Sequence, residues 1–134
     1  MEELGVLLVG VGGQGVILAS DILSESALGA GYDVKKTDTL GMSQRGGSVV
    51  SHVRMGQTVR SPLIKEGTVD IMLALERLEA ARWASFLRPD GIAIVNAYKR
   101  PPPSVNLGTE DYPAEEKLVG GLRLKTSRSY AVQG

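Results

Sequence analysis

A glycine-rich loop set between an apolar run and a helical segment constrains the fold of this chain more than any other feature. The apolar run covers residues 4–9, the loop is Gly10-Val-Gly-Gly-Gln-Gly15, and the residues up to Gly31 have helical character. Glycines at such a junction allow a tight turn with positive φ and a close approach of the backbone. The order of strand, glycine loop and helix predicts the opening unit of an α/β domain.

The remaining apolar runs continue the alternation of strands and helices. Further strands are predicted at residues 34–37, 48–55, 69–75 and 92–95, and a second helix is predicted to begin at Glu76. The turn signal Pro89-Asp90-Gly91 separates that helix from the last of these strands. After an extended stretch at Pro101-Pro102-Pro103, a short helix beyond Glu115 and a strand near residues 122–124 are predicted.

This pattern predicts one domain covering residues 1–134. A chain of 134 residues with 43% hydrophobic residues can bury one core and is too short for two ordinary domains. Alternating strands and helices predict a mostly parallel sheet with helices on both faces. The first helix is expected to pack on the sheet through Val16, Ala19, Leu23 and Ala27. Its polar residues fall largely on the other side: Ser20, Asp21, Ser24 and Glu25.

Charge and cysteine content exclude several classes of partner and cofactor site. Since 15 basic side chains balance 15 acidic ones, the composition does not indicate binding to nucleic acid or to an anionic membrane. The sequence has no cysteine, so the chain supplies neither a disulfide nor a thiolate for an iron–sulfur cluster. Met1-Glu2-Glu3 is acidic where a secretory signal is basic, and no apolar run approaches the roughly 20 residues that cross a bilayer. The expected location is the cytoplasm.

The first glycine loop is compatible with more than one function. It matches G-x-G-x-x-G between a strand and a helix, where free backbone amides attract anions. A dinucleotide site also needs an acidic residue at the end of the second strand, and Asp38 comes late and follows Lys35 and Lys36. The loop therefore either serves packing alone or lies close to a cofactor or another anion. The candidate cofactor-binding residues are Gly10, Gly12, Gly13, Gln14 and Gly15.

The second glycine loop, Gly41-Met-Ser-Gln-Arg-Gly-Gly-Ser48, is the more unusual segment. Arg45 can hold a carboxylate or a phosphate through two parallel hydrogen bonds, while the following glycines bring backbone amides close to the same anion. The alternative is a solvated loop whose arginine binds a neighbouring carbonyl. Both glycine loops follow strands, so they are expected at the same edge of the sheet. The candidate residues near a substrate or coenzyme are Ser43, Gln44, Arg45, Gly46, Gly47 and Ser48.

Other reactive side chains give weaker signals, and no catalytic residue or metal ligand is assigned. His52 is the only histidine and has no cysteine or carboxylate at ligand spacing, so a partly buried strand histidine is favoured over a proton-transfer group. No suitable base accompanies the serines, so a hydrolase triad is not supported. These serines are Ser43, Ser48 and Ser51. Glu76 is expected to cap the following helix, and Trp83 and Phe86 are expected in the core or an interface.

Three segments taken together are more specific than any single motif. They are Gly10-Val-Gly-Gly-Gln-Gly-Val16, Gly41-Met-Ser-Gln-Arg-Gly-Gly-Ser-Val-Val-Ser-His-Val-Arg54 and Ser61-Pro-Leu-Ile-Lys-Glu-Gly67. In this order they resemble the beta-subunit family of indolepyruvate ferredoxin oxidoreductases, within the gamma-type domain family of 2-oxoacid:ferredoxin oxidoreductases. The resemblance covers roughly residues 4–115. It implies a Rossmann-like domain that is not a dehydrogenase.

The resemblance further implies a heteromeric complex. In that family a larger partner subunit carries thiamine diphosphate and the iron–sulfur clusters. The complex converts an aryl 2-oxoacid and coenzyme A into an acyl-CoA and carbon dioxide and reduces ferredoxin. By this resemblance the chain alone binds no cofactor and is not active alone, and its glycine loops lie against the partner's active site or the path of coenzyme A. A homodimer of the isolated chain is a further expectation.

The resemblance leaves alternatives open. Gamma subunits of pyruvate and 2-oxoglutarate ferredoxin oxidoreductases share the fold and the Arg-Gly-Gly core. A free-standing nucleotide-binding domain would use the first glycine loop directly, and a pure scaffold would only close the site of a partner. The segment from Lys125 onward does not resemble the family, whose members usually continue with another helix. The chain is therefore expected to be truncated or divergent at its C-terminus.

Overall fold

The computed structural model describes residues 3–13, 15–40, 47–96 and 128–132, within which it forms a mixed α/β domain. The strands are β1 (Leu4–Val11), β2 (Asp33–Leu40), β3 (Ser48–Gly56), β4 (Val69–Ala74), β5 (Leu87–Asn96) and β6 (Arg128–Val132). The helices are α1 (Val16–Gly29) and α2 (Arg77–Arg82), and a 3-10 turn covers Ala84–Phe86. The features predicted for the proline stretch, the segment after Glu115 and the strand near residues 122–124 lie outside the described residues.

The strands form one sheet in the order β2-β3-β1-β4-β5-β6. The pairs β1–β4, β4–β5 and β5–β6 are parallel, whereas β3 is antiparallel to both of its neighbours, β1 and β2. The prediction of a mostly parallel sheet is therefore confirmed. The insertion of β3 between the first two strands was not predicted from the sequence. Strands joined by a short connection can pair antiparallel, which is how β3 folds back on β2.

Helices cover both faces of the sheet, as predicted. Along β1 the side chains alternate between two buried clusters, with Val6 and Leu8 facing α1 and with Leu7 and Val9 on the side of α2. Helix α1 packs on β1, β2 and β3, and α2 packs on β1, β4 and β5. Each fully buried aliphatic side chain stabilises the fold by about 1.5–3 kcal/mol. Strand β1 is therefore the centre of the core, and it leads directly into the first glycine loop.

The buried face of α1 differs from the prediction in two residues. Val16 and Ala27 are buried as predicted, and Ala19 and Leu23 pack against the same cluster. Ser20 and Ser24, which were expected on the opposite side, are also buried. Their hydroxyls donate to the carbonyls of Ile17 and Ser20, each at 2.8 Å, so the helix itself satisfies them. Several large apolar side chains of α1 are exposed instead: Ile17, Leu18, Ile22 and Leu28.

Two strand boundaries correct the sequence analysis. Strand β2 extends to Leu40, so Asp38 lies in a strand and not in the loop. Strand β5 already begins at Leu87, so Pro89-Asp90-Gly91 lies inside the strand. The pairing shifts there from Val69 opposite Leu87 to Ile71 opposite Ile92. Asp90 has a φ of 63°, so the turn chemistry is present, but it forms an irregularity within β5.

The second helix is shorter than predicted. It begins at Arg77, after Glu76, and ends at Arg82, and the 3-10 turn then leads into β5. Trp83 and Phe86 are partly buried against the core, with ring centroids 5.0 Å apart, in agreement with the predicted packing role. Within the described ranges, no helix is both long enough and apolar enough to span a bilayer.

Candidate functional site at the glycine loops

The two glycine loops meet at the carboxyl edge of the sheet. Strands β1 and β2 both run antiparallel to β3, so their C-terminal ends open on the same side. The Gly12 N–H donates to the Gly47 carbonyl at 2.9 Å. Val11, the last residue of β1, lies opposite Ser48, the first residue of β3. The expectation that both loops share one edge is therefore confirmed, and their bases are directly hydrogen bonded.

The first loop uses two glycines in a left-handed conformation. Gly13 and Gly15 both have a φ of 88°, and a Cβ at either position would meet no atom of the described residues within 4 Å. These positions therefore favour glycine for backbone conformation and not for space. Gly15 precedes α1, and its carbonyl accepts from the Ala19 N–H at 2.9 Å. Gly10 lies inside β1, opposite Val49, and Gln14 is outside the described residues.

A cleft of about 440 Å³ opens beside this loop. The described residues that line it are all glycine or aliphatic: Val11, Gly12, Gly13, Gly15, Val16, Ile17, Leu18 and Val49. Among these residues, the polar groups that face the cleft therefore belong to the backbone. Such a surface suits a ligand or a neighbouring chain that combines apolar area with a group able to bind backbone amides.

The strand order argues against a dinucleotide site. In that type of site the second strand lies beside the first and its acidic end binds a ribose, whereas here β3 separates β2 from β1. The Asp38 carboxylate is also engaged, because Lys36 Nζ lies at 2.8 Å and Ser51 Oγ at 2.5 Å. Burial alone would raise the pKa of Asp38, but the hydrogen bonds from Lys36 and Ser51 hold it below its ordinary value. The ribose acceptor that a dinucleotide needs is therefore missing from the described residues.

The second loop is described only at its C-terminal end. Gly47 and Ser48 are placed at the edge, next to the first loop. The other candidates predicted in this loop lie outside the described residues: Ser43, Gln44, Arg45 and Gly46. The anion-binding role of Arg45 therefore stays a prediction.

The residues that follow the second loop stabilise the fold. His52 Nδ1 accepts from the Ile64 N–H at 3.2 Å, and its ring meets Phe86 edge-on at 6.3 Å. Burial lowers the pKa of His52, which favours the neutral imidazole that this hydrogen bond requires. Arg54 forms an ion pair with Glu3 and donates to the carbonyls of Ser61 and Leu63 at 3.3 and 3.2 Å. The structural interpretation of His52 is thus supported, and the segment from residue 61 to 64 is fixed to β3.

A second cleft, of about 380 Å³, lies at the opposite end of β1. Arg54 and Asp70 both line it. Asp70 accepts from the Gly5 N–H and from Arg88 Nε, each at 2.8 Å. Because the contacts of Arg54 and Asp70 tie neighbouring elements together, we assign these side chains a structural role. Among the described residues, no group of three or more histidine, aspartate and glutamate side chains is arranged to hold a metal ion.

Two buried glutamates complete the edge with the glycine loops. Glu76 has no solvent exposure, and its Oε1 accepts from the Glu79 N–H at 3.0 Å, which confirms the predicted cap of α2. Glu79 was not among the residues predicted from the sequence, and it is equally buried. Burial raises the pKa of Glu79, and the nearby Glu76 charge adds to this effect, although Ser48 and Arg82 oppose it. The spacing of two acidic residues three positions apart at a helix start was the available signal.

Comparisons with known proteins agree with this description. The family model of pyruvate ferredoxin/flavodoxin oxidoreductase matches residues 5–132. The chain is similar to the indolepyruvate oxidoreductase subunit IorB of Archaeoglobus fulgidus, with 49% identity over 126 residues that cover 94% of this chain and 62% of the relative. The subunit of the same name from Pyrococcus horikoshii is 40% identical over 118 residues, which cover 88% of this chain and 58% of the relative. The chain thus spans about 60% of the length of these relatives.

Solved structures have the same fold. The pyruvate oxidoreductase subunit PORC from Thermotoga maritima superposes with a TM-score of 0.66 at 22% identity, over 98% of this chain and 62% of that chain. A 2-oxoglutarate:ferredoxin oxidoreductase from Magnetococcus marinus, with 2-oxoglutarate, coenzyme A and succinyl-CoA bound, gives a TM-score of 0.65 at 17% identity. That match covers 99% of this chain and 20% of that chain. At these identities the similarity establishes the fold alone.

Proposed function

Because the chain belongs to the pyruvate ferredoxin/flavodoxin oxidoreductase family, we propose that it is the small subunit of an indolepyruvate ferredoxin oxidoreductase. The complex oxidises an aryl 2-oxoacid by two electrons and breaks the bond to its carboxylate, which leaves as carbon dioxide. The acyl group forms a thioester with coenzyme A, and two ferredoxins each accept one electron. The support is the name shared by relatives at 49% and 40% identity. In this proposal residues 1–134 act as one domain.

The observation that carries the proposal is the junction of the two glycine loops. The hydrogen bond between Gly12 and Gly47 brings their bases together at the carboxyl edge of the sheet, where ligands of such folds bind. In this arrangement one ligand can contact both loops. We assign the backbone amides of Gly12, Gly13 and Gly15 to the approach of the ligand, and the Arg45 guanidinium to its carboxylate or phosphate.

The redox cofactors belong to the larger subunit in this proposal. Iron–sulfur clusters need thiolate ligands, and the sequence contains no cysteine. Thiamine diphosphate, when bound by the partner, supplies the electron sink for decarboxylation. The residues of this chain bind and orient the anionic reactant beside that cofactor and provide an apolar wall that limits water. We place the complex in the cytoplasm, with ferredoxin as its acceptor, and a homodimer as the state of the chain when the larger subunit is absent.

A gamma subunit of a pyruvate or 2-oxoglutarate oxidoreductase is the second candidate. It is favoured by 35% identity over 92 residues to the common subunit gamma of the pyruvate/ketoisovalerate oxidoreductases of Pyrococcus abyssi. The two candidates differ in the 2-oxoacid and not in the role of the chain. A free-standing nucleotide-binding domain is disfavoured, because β3 separates β2 from β1 and Asp38 is already engaged.

The proposal is tested by co-expressing the chain with the larger subunit encoded beside its gene. The purified complex is assayed for coenzyme A-dependent reduction of ferredoxin or a viologen dye with indolepyruvate, pyruvate and 2-oxoglutarate. We expect turnover with indolepyruvate from the complex and none from either chain alone. Preference for pyruvate or 2-oxoglutarate would support the second candidate. A chain that forms no complex but binds NAD or NADP would contradict both.

A further inference from the structure

The outward face of α1 carries most of the large apolar side chains that the described residues expose. Ile17, Leu18, Ile22 and Leu28 are 38%, 64%, 59% and 55% exposed. Among the described residues, the one other exposed large apolar side chain is Leu63, at 62%. Single exposed apolar residues are common on protein surfaces, whereas a cluster of them indicates an interaction site. Four on one helix of 14 residues therefore indicate a surface that another molecule covers.

The helical spacing arranges this face as two apolar ridges with acidic residues between them. An α-helix turns by about 100° per residue, so Leu18 and Ile22 lie one turn apart on one side of the face. Ile17 begins the ridge on the other side. Asp21 and Glu25 lie between the two ridges and are the only charged residues of α1. The face is therefore both apolar and acidic.

These charges disfavour a second copy of the chain as the occupant of the face. A symmetric dimer brings the same surface of both copies together, so the acidic pair would meet its equivalent with no basic residue on either helix. Asp21 is paired with Lys36 at 2.7 Å, but Glu25 is exposed and makes no ion pair with the described residues. A partner whose apolar surface carries lysine or arginine side chains complements this face better.

The outward face of α1 is continuous with the candidate site. Ile17 and Leu18 belong to this face and also line the cleft beside the first glycine loop. A typical stable protein complex buries about 800 Å² of surface on each partner, which four partly exposed side chains cannot supply alone. A partner that binds this face stably therefore covers the neighbouring edge with the glycine loop as well.

We propose that the outward face of α1 is the docking surface for the larger subunit of the complex, and that the larger subunit places an apolar surface with lysine or arginine side chains against it. The identity of the partner rests on the proposed function. The location and chemistry of the docking surface rest on the exposure and charge of α1.

Thiol labelling tests where the larger subunit binds, because the cysteine-free chain allows one thiol to be introduced at a time. Ile22→Cys places the thiol on α1 outside the cleft, and the control Leu63→Cys places it at a site of matched exposure. Maleimide modification of the small chain is followed by mass spectrometry, in the isolated chain and in the purified complex. We expect complex formation to slow modification at least about tenfold for Ile22→Cys and less than about twofold for Leu63→Cys.

Two outcomes of the labelling experiment would overturn the inference. Equal rates for Ile22→Cys in the isolated chain and in the complex would show that the larger subunit binds elsewhere. Slower modification of the isolated chain as its concentration rises would show that a second copy covers α1 instead.

Affinity measurements test the chemistry of the docking surface. The chain is titrated into the separately purified larger subunit, and we expect Ile22→Ala to raise Kd at least about fivefold and the control Leu63→Ala less than about twofold. Glu25→Lys should raise Kd at least about tenfold at low salt and by less at high salt, because salt screens the charges. Unchanged or tighter binding of Glu25→Lys would contradict a basic partner surface.

Failure of this inference can be distinguished from failure of the proposed function. A complex that protects the thiol of Ile22→Cys but oxidises no 2-oxoacid would refute the proposed function and support the docking surface. A complex that oxidises indolepyruvate while the thiols of Ile22→Cys and Leu63→Cys react alike would support the proposed function and overturn the docking surface.

Discussion

Gly13 and Gly31 provide a matched test of whether the first glycine loop contacts a ligand or a partner. Both are left-handed, with φ of 88° and 96°, and in the part of the chain that the structure describes a Cβ at either position meets no atom within 4 Å. Alanine therefore carries the same intrinsic cost at both positions, about 1–2 kcal/mol for an L side chain in this conformation. Gly31 closes the C-terminus of α1, where its N–H donates to the Leu28 carbonyl at 3.0 Å. The two positions lie at opposite ends of this 14-residue helix, roughly 20 Å apart.

The two substitutions should have equal effects on stability and different effects on activity. Thermal unfolding should give similar losses for Gly13→Ala and Gly31→Ala, about 4 °C for each kcal/mol. In coenzyme A-dependent dye reduction by the complex, we expect Gly31→Ala to stay within about twofold of wild type and Gly13→Ala to lose at least about tenfold, or 1.4 kcal/mol. The added methyl group touches none of the residues that the structure describes, so the extra loss would report a contact with a ligand or the partner. Equal turnover in both variants would refute this reasoning and leave the loop a role in folding alone.

Three further predictions concern the second loop, the polar network on β2 and the buried histidine. Arg45→Ala should lower kcat/KM for the 2-oxoacid at least about tenfold without loss of assembly. Arg45→Lys should recover only part of the lost kcat/KM, because an ammonium cannot form the same pair of parallel hydrogen bonds. Unchanged turnover in both variants would favour a pure scaffold. Lys36 Nζ contacts two carboxylates at 2.7 and 2.8 Å and is partly buried, so Lys36→Met should lower the free energy of unfolding in urea by about 1 kcal/mol. The exposed control Lys35→Met removes an ion pair with Asp33 at 3.4 Å and should lower the free energy of unfolding by less than about 0.5 kcal/mol. Equal losses in the two variants would contradict a stabilising role for the ion pairs of Lys36. Burial lowers the folded-state pKa of His52, so the unfolded chain binds more protons below about pH 6.5 and stability falls as the pH drops through the folded pKa. In melting curves between pH 5 and 8, the melting temperature should fall less at low pH for His52→Gln than for wild type, because the glutamine keeps an acceptor for the Ile64 N–H but does not titrate. An equal fall in both proteins would contradict a role for the protonation of His52.

The local features of the fold could be read from the sequence, because each depends on neighbouring residues. The left-handed Gly13 and Gly15 lie at the junction of strand and helix that their spacing predicted. Glu76 caps α2 because its carboxylate reaches an amide only three residues away. The boundaries of β5 were wrong for a related reason. Pro89-Asp90-Gly91 does form a turn-like irregularity, but the pairing with β4 on both sides keeps the strand continuous, and a pairing partner is not visible in a local pattern.

The burial of Ser20 and Ser24 shows why the distribution of polar and apolar residues along a helix does not fully predict its buried face. Each hydroxyl is satisfied by a carbonyl in the preceding turn of α1, and Ser20 also accepts from Lys36 Nζ at 2.9 Å. Hydroxyls paired in this way can face the sheet without the cost of an unpaired polar group. The pattern counted both residues as polar and therefore left them out of the buried face of α1. Glu79 was not predicted to be buried for the same reason, since glutamate side chains are almost never fully buried unless they are paired.

The insertion of β3 explains why the G-x-G-x-x-G motif of the first loop does not indicate a dinucleotide in this chain. A G-x-G-x-x-G loop indicates a dinucleotide only when the second strand lies beside the first, and the sequence does not determine that order. With β3 between them, the acidic end of β2 is one strand further from the first loop. The same insertion places Gly47 against Gly12, because β3 begins where β1 ends. The strand order that moves the acidic end of β2 away from the first loop is therefore also the one that joins the bases of the two loops. A ligand bound at this junction would lie next to Gly47, and not next to the acidic residue that a dinucleotide-binding fold places there.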